Sequence, residues 1–446
     1  MLVPDHIIPN TSKSAIEGQN MADHINQDDA VSISGNSIAS DESFAETVVY
    51  EHEPFNSFQY KVSALCKDIF PGAQIGVSRM DGGSFNRVCG ITVMHLPTIF
   101  ERVCMRLPKC ISKGNEVKVR KIEEFILRIP RTENEWLEHD VNMLFYLAKN
   151  HPSIPTGLPY RYDLSSSNKI GTRYTLIPRL PGIRAEEHYL ECTLAQRIGF
   201  ARELGLALRD MQTHHAECPG TLNARSIQQK ETRITTNLLH CPHRDPFRPI
   251  VSTTTERSIS MSVLLFFANQ FNRQRQYDLS WNRVQYQPWE SAWQVIQKMD
   301  AKGLFDDNNY YLTHMDFEPR NMLIHIVDEN TAHLGGILDW DEAVFGPVFL
   351  NCKPPFWLWT MEDGIEFDND ETKANHVPQN PDLRMIKSAF DDAVGERYFK
   401  YAYTPEYRIA RTICRIAIMG MHYSDDYAAM NEAINEWNSI YPEDSV

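Results

Sequence analysis

Apolar residues recur along the chain with two periods, and the switches between them mark out its elements. From Phe55 to Ile69 they fall at Phe58, Val62, Leu65 and Ile69, a spacing of four, three and four that predicts a helix. Residues 75–93, interrupted by Gly82-Gly83, read as strand, glycine turn, strand, and residues 124–130 as a third strand. Thr132-Glu-Asn-Glu135 has capping-box spacing, so a helix is expected to start there with Leu137, Val141, Leu144 and Ala148 on one face. Three prolines between His151 and Pro159 end it.

Helical spacing returns over residues 194–212, with Leu194, Ile198, Ala201, Leu204, Leu208 and Met211, and helices are predicted over 258–272 and 289–298. Residues 321–328 and 332–340 flank the polar Asp328-Glu329-Asn330 and predict a hairpin. Helices near 386–399 and 407–421 close the chain. Residues 1–45, with no aromatic before Phe44, predict a disordered tail without signal peptide or presequence character.

Composition narrows the classes. A chain of 446 residues has room for two lobes with separate cores, and 42% hydrophobic with 23% charged residues is the balance of a soluble globular protein. No apolar run is long enough to predict a membrane span. The net charge of −15 argues against nonspecific nucleic-acid binding; it suits a cationic or neutral small partner, or serves solubility. Nine scattered cysteines without a CxxC pair predict free thiols in a reducing, cytoplasmic setting, Cys104 and Cys110 being the nearest pair with a short segment between. His240-Cys241-Pro242-His243 offers three zinc donors, short of the four a structural site needs, in an insertion over 228–251.

The chemistry concentrates in residues 310–346, YYLTHMDFEPRNMLIHIVDENTAHLGGILDWDEAVFG. The hairpin centre falls at residue 330, so pairing would bring Asn321 and Asp339 roughly 5 Å apart across the strands. An amide oxygen and a carboxylate at that distance suit Mg²⁺, a hard cation that takes one or two carboxylates together with substrate phosphates. Asp316 stands in the preceding loop, placed to meet a substrate hydroxyl. The set points to phosphoryl transfer.

HMDFEPRN followed by ILDWDEA resembles the aminoglycoside phosphotransferase family, the small-molecule kinase branch of the protein-kinase-like fold. The resemblance implies an α+β, bilobal fold: a tail over 1–45, a nucleotide-binding N-lobe over 46–180 with a small antiparallel sheet and one helix, and a mainly α C-lobe over 181–446. It implies an ATP- and Mg²⁺-dependent transfer of the γ-phosphoryl group to a hydroxyl of a small molecule. Asp316 would then be the base, Asn321 and Asp339 the metal ligands, and His314 and Asp341 supports. Gly82, Gly83, Ser84, Phe85 and Asn86 match the loop that covers the nucleotide, and residues 176–180, with Ile177 and Arg179, the strand that receives adenine. Arg128 stands where the family carries Lys, with Asp140 as its partner and Glu138 and Glu135 as alternatives. That departure keeps open a catalytically silent nucleotide-binding scaffold. A protein kinase is disfavoured because no Ala-Pro-Glu segment follows and Asp-Trp-Asp replaces Asp-Phe-Gly. His214-His215 reads as a helix end, residues 361–370 as an acidic surface loop or acceptor rim.

Overall fold

Phe125, Leu127 and Ile129 alternate with residues of the opposite face along one strand, and this period of two gives the first sheet a buried side. The computed structural model describes residues 52–80, 82, 86–95, 121–131, 136–223, 234–239, 257–280, 287–360 and 371–446. The chain divides into Met1–Pro54 and Phe55–Val446, and all elements below belong to the second unit. The expected tail, Gly83-Ser84-Phe85, the segment with Cys104 and Cys110, the capping box at 132–135, His240–His243 and the acidic segment 361–370 lie outside the described residues.

The sheet comprises β1 (Gln74–Arg79), β2 (Asn86–Met94), β3 (Ile122–Pro130), β4 (Arg161–Asp163) and β5 (Tyr174–Pro178), all antiparallel, in the order β1-β2-β3-β5-β4. Helix α1 (Phe55–Ile69) covers one face: Phe58, Val62, Leu65 and Cys66 pack with Cys89, Ile91 and Val93 of β2 and with Phe125, Leu127 and Ile129. Helix α2 (Trp136–Asn150) is the second helix of this half, one more than the resemblance implies. Its Met143, Leu144, Tyr146 and Leu147 join the core of the large lobe rather than that of the sheet. The helix that carries Asp140 is therefore anchored to the large lobe.

The large lobe opens with β6 (Ile183–Arg184), which already pairs with the later hairpin. Helix α3 (Leu194–Met211) follows, its N-terminus closed by a capping box of Thr193 and Gln196. Short strands β7 (His215–Ala216), β8 (Thr221–Leu222) and β9 (Thr236–Asn237) lead to α4 (Val263–Ser280) and α5 (Gln287–Ala301). Predicted to begin near 258, α4 begins five residues later. Ser258 N–H donates to the Thr236 carbonyl and Arg257 bridges to Asn237, so those backbone groups are already spent on β9. The hairpin is β11 (Met322–Asp328) and β12 (Thr331–Ile337), preceded by β10 (Tyr310–Thr313) and followed by β13 (Val344–Pro347).

The helix predicted over 386–399 is two helices, α6 (Pro381–Val394) and α7 (Glu396–Tyr403), because Gly395 takes a φ of 87° that ends the first. After α8 (Pro405–Met419) comes α9 (Ser424–Ile440), which the sequence reading passed over although Tyr427, Met430, Ile434 and Trp437 are spaced three, four and three. Cys66, Cys192, Cys352 and Cys414 are buried free thiols. Among the described residues no helix is long and apolar enough to cross a membrane.

Beyond α2 the chain buries His151 completely. Its Nδ1 lies 3.6 Å from Asp210 Oδ2, its Nε2 3.4 Å from the Tyr146 hydroxyl, and its ring meets that of His214 edge to face at 4.9 Å. Burial, against the opposing pull of Asp210, holds the imidazole below its usual range. An unfolded chain protonates here near pH ~6.5, so as pH falls below that value the unfolded state binds the additional proton and stability declines. Urea midpoints at pH 7.5 and 5.5 are expected to differ less in a His151→Asn variant than in the native protein; an equal difference would assign the pH dependence elsewhere.

Candidate active site

Two loops meet through the peptide group of one residue. His314 leaves β10 with its ring buried, and its Nε2 donates to the Leu338 carbonyl at 2.7 Å. The Leu338 N–H in turn donates to the Asn321 carbonyl at 2.8 Å. Leu338 is thus gripped on both sides, which sets Asp339 beside the loop of Asp316 and Asn321. Burial pushes the His314 imidazole below its usual range, so the ring is neutral, with one nitrogen donating to Leu338. The Trp340 ring packs edge-on against it at 4.5 Å.

Pro319 starts a short 3-10 turn, Pro319–Asn321, that ends the loop before β11 begins. Asn321 accordingly sits outside the strand and faces Leu338, not Asp339. The predicted register is off by one because Asp328 pairs with Thr331, which centres the turn between Glu329 and Asn330 rather than on Asn330. The irregularities between Leu323 and Ile324 and between Ile326 and Asp328 shift the ladder in opposite senses and cancel. Asp339 then turns away from the strand with φ 64° and ψ 59°. Met315, one residue before Asp316, has φ 66°. These are the two non-glycine residues with positive φ among the described residues, and each costs on the order of 1–3 kcal/mol. Asp tolerates this conformation better than Met does. Backbone strain is stored at both loops that carry the candidate residues.

Asp316 has both carboxylate oxygens engaged. Asn321 Nδ2 donates to Oδ2 at 2.8 Å and to the Asp316 carbonyl at 3.0 Å, and Arg320 Nη2 pairs with Oδ1. With both amide hydrogens of Asn321 directed to Asp316, its side-chain oxygen is left for another partner.

Arg128, near the end of β3, bridges to two acids. Its Nη1 donates to Asp140 of α2 at 3.0 Å and its Nη2 to Asp339 at 2.8 Å. Glu138, an alternative partner, is exposed on α2. Burial works against the Arg128 charge, but Asp140, then Asp339 and Asp341, outweigh it and hold the guanidinium above its ordinary range. Burial likewise keeps the Asp140 carboxyl above the usual range in spite of Arg128, and its Oδ1 has no partner. Asp341 acts on the site through charge: burial and then Asp339 push its carboxyl well above the usual range. One cation therefore serves three acids.

The remaining candidates lie on the sheet. Asn86 opens β2 opposite Pro130, and a Cβ on Gly82 would fall 2.5 Å from the Asn86 carbonyl, so only glycine fits. Ile177 on β5 is buried opposite Ile126, and the Arg179 N–H donates to the Glu124 carbonyl at 2.9 Å.

Three contacts escaped the sequence reading. Arg128 to Asp339 joins residues 211 apart and has no local signal. Lys353 Nζ pairs with Glu318 of the Asp316 loop at 2.6 Å, again without one. Arg320 to Asp316 is an opposite-charge pair four residues apart, a spacing that reads directly from the chain.

Residues 111–385, more than half of the chain, match the model of the phosphotransferase enzyme family. No curated protein sequence matches. Similar solved structures include wild-type aminoglycoside 2'-phosphotransferase-IIIa with GDP, at TM-score 0.44 and 11% identity, covering 87% of this chain and 99% of that one. Another is a thermostable mutant of aminoglycoside phosphotransferase APH(4)-Ia with AMP-PNP and hygromycin B, at TM-score 0.44 and 12% identity, covering 86% and 98%.

Proposed function

The chain belongs to the phosphotransferase enzyme family, and from that premise we propose that it moves the γ-phosphoryl group of ATP to a hydroxyl of a small molecule. The observation that carries the reading is the double grip on Leu338, which holds Asp316, Asn321 and Asp339 on adjoining loops. Asp316 orients the acceptor hydroxyl and takes its proton as the oxygen bonds to phosphorus. The bond from phosphorus to the bridging oxygen breaks, and ADP leaves.

The donor set fits Mg²⁺: an amide oxygen freed at Asn321 and a carboxylate at Asp339 are hard ligands, and a cation with this habit completes its shell from phosphates and water. When bound, the ion neutralises charge on the transferring group. Asp339→Ala is expected to weaken Mg²⁺-dependent AMP-PNP binding at least about tenfold, read by calorimetric titration with and without the metal. An unchanged metal dependence would remove Asp339 from the ligand set.

Arg128 keeps one Nη on Asp140 while the other moves from Asp339 to a phosphate oxygen, an exchange that its planar fork permits. The same bridge supports a second reading, a nucleotide-binding scaffold without turnover, in which Arg128 remains on Asp339. Thermal-shift titration with ATP and Mg²⁺ followed by ATP consumption across hydroxyl acceptors separates the two: binding without consumption favours the scaffold.

A further inference from the structure

The two oxygens of Asp316 are not equivalent. Oδ2 is held by Asn321, whose amide also secures the loop backbone, and so belongs to the side where metal and phosphates would sit. Oδ1 faces Arg320, whose side chain is 51% exposed. An acceptor hydroxyl reaches the carboxylate by taking Oδ1 from Arg320. An ion pair this exposed contributes little, so the exchange is easy. It leaves a guanidinium with its donors free beside the bound hydroxyl.

The second acid of the loop gives no shelter to that charge, because Glu318 is already paired with Lys353 at 2.6 Å. What the acceptor carries next to its hydroxyl then decides the outcome. An ammonium group meets like charge, and a neutral polyol leaves Arg320 to water. An oxyanion accepts paired N–H···O bonds from the planar fork.

We propose that Arg320 is an acceptor-selecting residue, and that the acceptor carries a carboxylate or phosphate a few bonds from the hydroxyl that is phosphorylated. This rests on the reading of Asp316 as the group that meets the acceptor hydroxyl. It departs from the cationic acceptor that the net charge of −15 suits, since the choice is made by the two charges at the site and not by the total.

Four probes on one three-carbon scaffold test it: glycerate, glycerol 3-phosphate, glycerol and 3-amino-1,2-propanediol. Each is titrated calorimetrically into the full chain with Mg²⁺ and AMP-PNP, and turnover with ATP is followed by phosphorus NMR. The anionic probes are expected to bind at least about tenfold tighter than the amine, and Arg320→Gln to compress that preference to about twofold by raising KM with kcat little changed. Arg320→Lys should restore part of it. The carboxylate and phosphate arms tell which anion is meant. Tightest binding of the amine or of glycerol, an unaltered ranking in Arg320→Gln, or binding of no probe overturns the assignment. Anion binding that depends on Arg320 without turnover upholds it and counts against phosphoryl transfer; turnover indifferent to Arg320 does the reverse.

Discussion

Asp316→Asn protein is expected to bind ATP as the native chain does while its rate of phosphoryl transfer falls by about 10²–10⁴-fold, the usual contribution of a positioned general base. Asparagine keeps the shape and can still receive the Asn321 amide, so loop geometry survives. What it loses is the capacity to take a proton and the charge that pairs Arg320. Nucleotide affinity by titration and turnover by product formation must be measured on the same preparation. Turnover within about threefold of native would put the proton elsewhere and remove the base assignment.

Arg128→Met is expected to lower stability by about 3–5 kcal/mol at pH 8, because it leaves a buried carboxylate without its partner. Asp140 is 3% exposed and accounts for most of this; Asp339, about a third exposed on its side chain, retains water and accounts for little. The sign with pH follows. Burial already holds the Asp140 carboxyl above its usual range with Arg128 present, and losing that partner raises it further, so the deficit is absent at low pH and grows as pH rises. Urea midpoints at pH 5 and pH 8 should therefore differ more in the variant than in the native protein. A small, pH-independent loss would mean that Asp140 finds another partner and that the bridge is not what holds β3 to α2.

What could be read from the chain was local. The spacing of Phe58, Val62, Leu65 and Ile69 specifies α1, and the polar turn at 328–330 specifies the hairpin, because each pattern is complete within fifteen or so residues. The hairpin's register was not legible: the turn is centred between Glu329 and Asn330 rather than on Asn330, which moves the partner of Asn321 by one, and nothing in the residue types announces it. The start of α4 depends on a bond from Ser258 to a strand some twenty residues earlier, which propensity does not see. Helix α9 was legible and was missed. In the site, residue types and loop spacing pick out Asp316, Asn321 and Asp339. The left-handed backbones of Met315 and Asp339 and the long-range reach of Arg128 and Lys353 exist only once the fold is formed.

Leu338 joins the two loops through its amide hydrogen and its carbonyl oxygen, and neither belongs to its side chain. Any residue that keeps an amide hydrogen and the same backbone conformation meets the same demand. The inheritance of this position is accordingly expected to be permissive in identity and strict in backbone: many amino acids acceptable, proline excluded. A position on which the joining of two loops turns would then look unremarkable in a family's sequences.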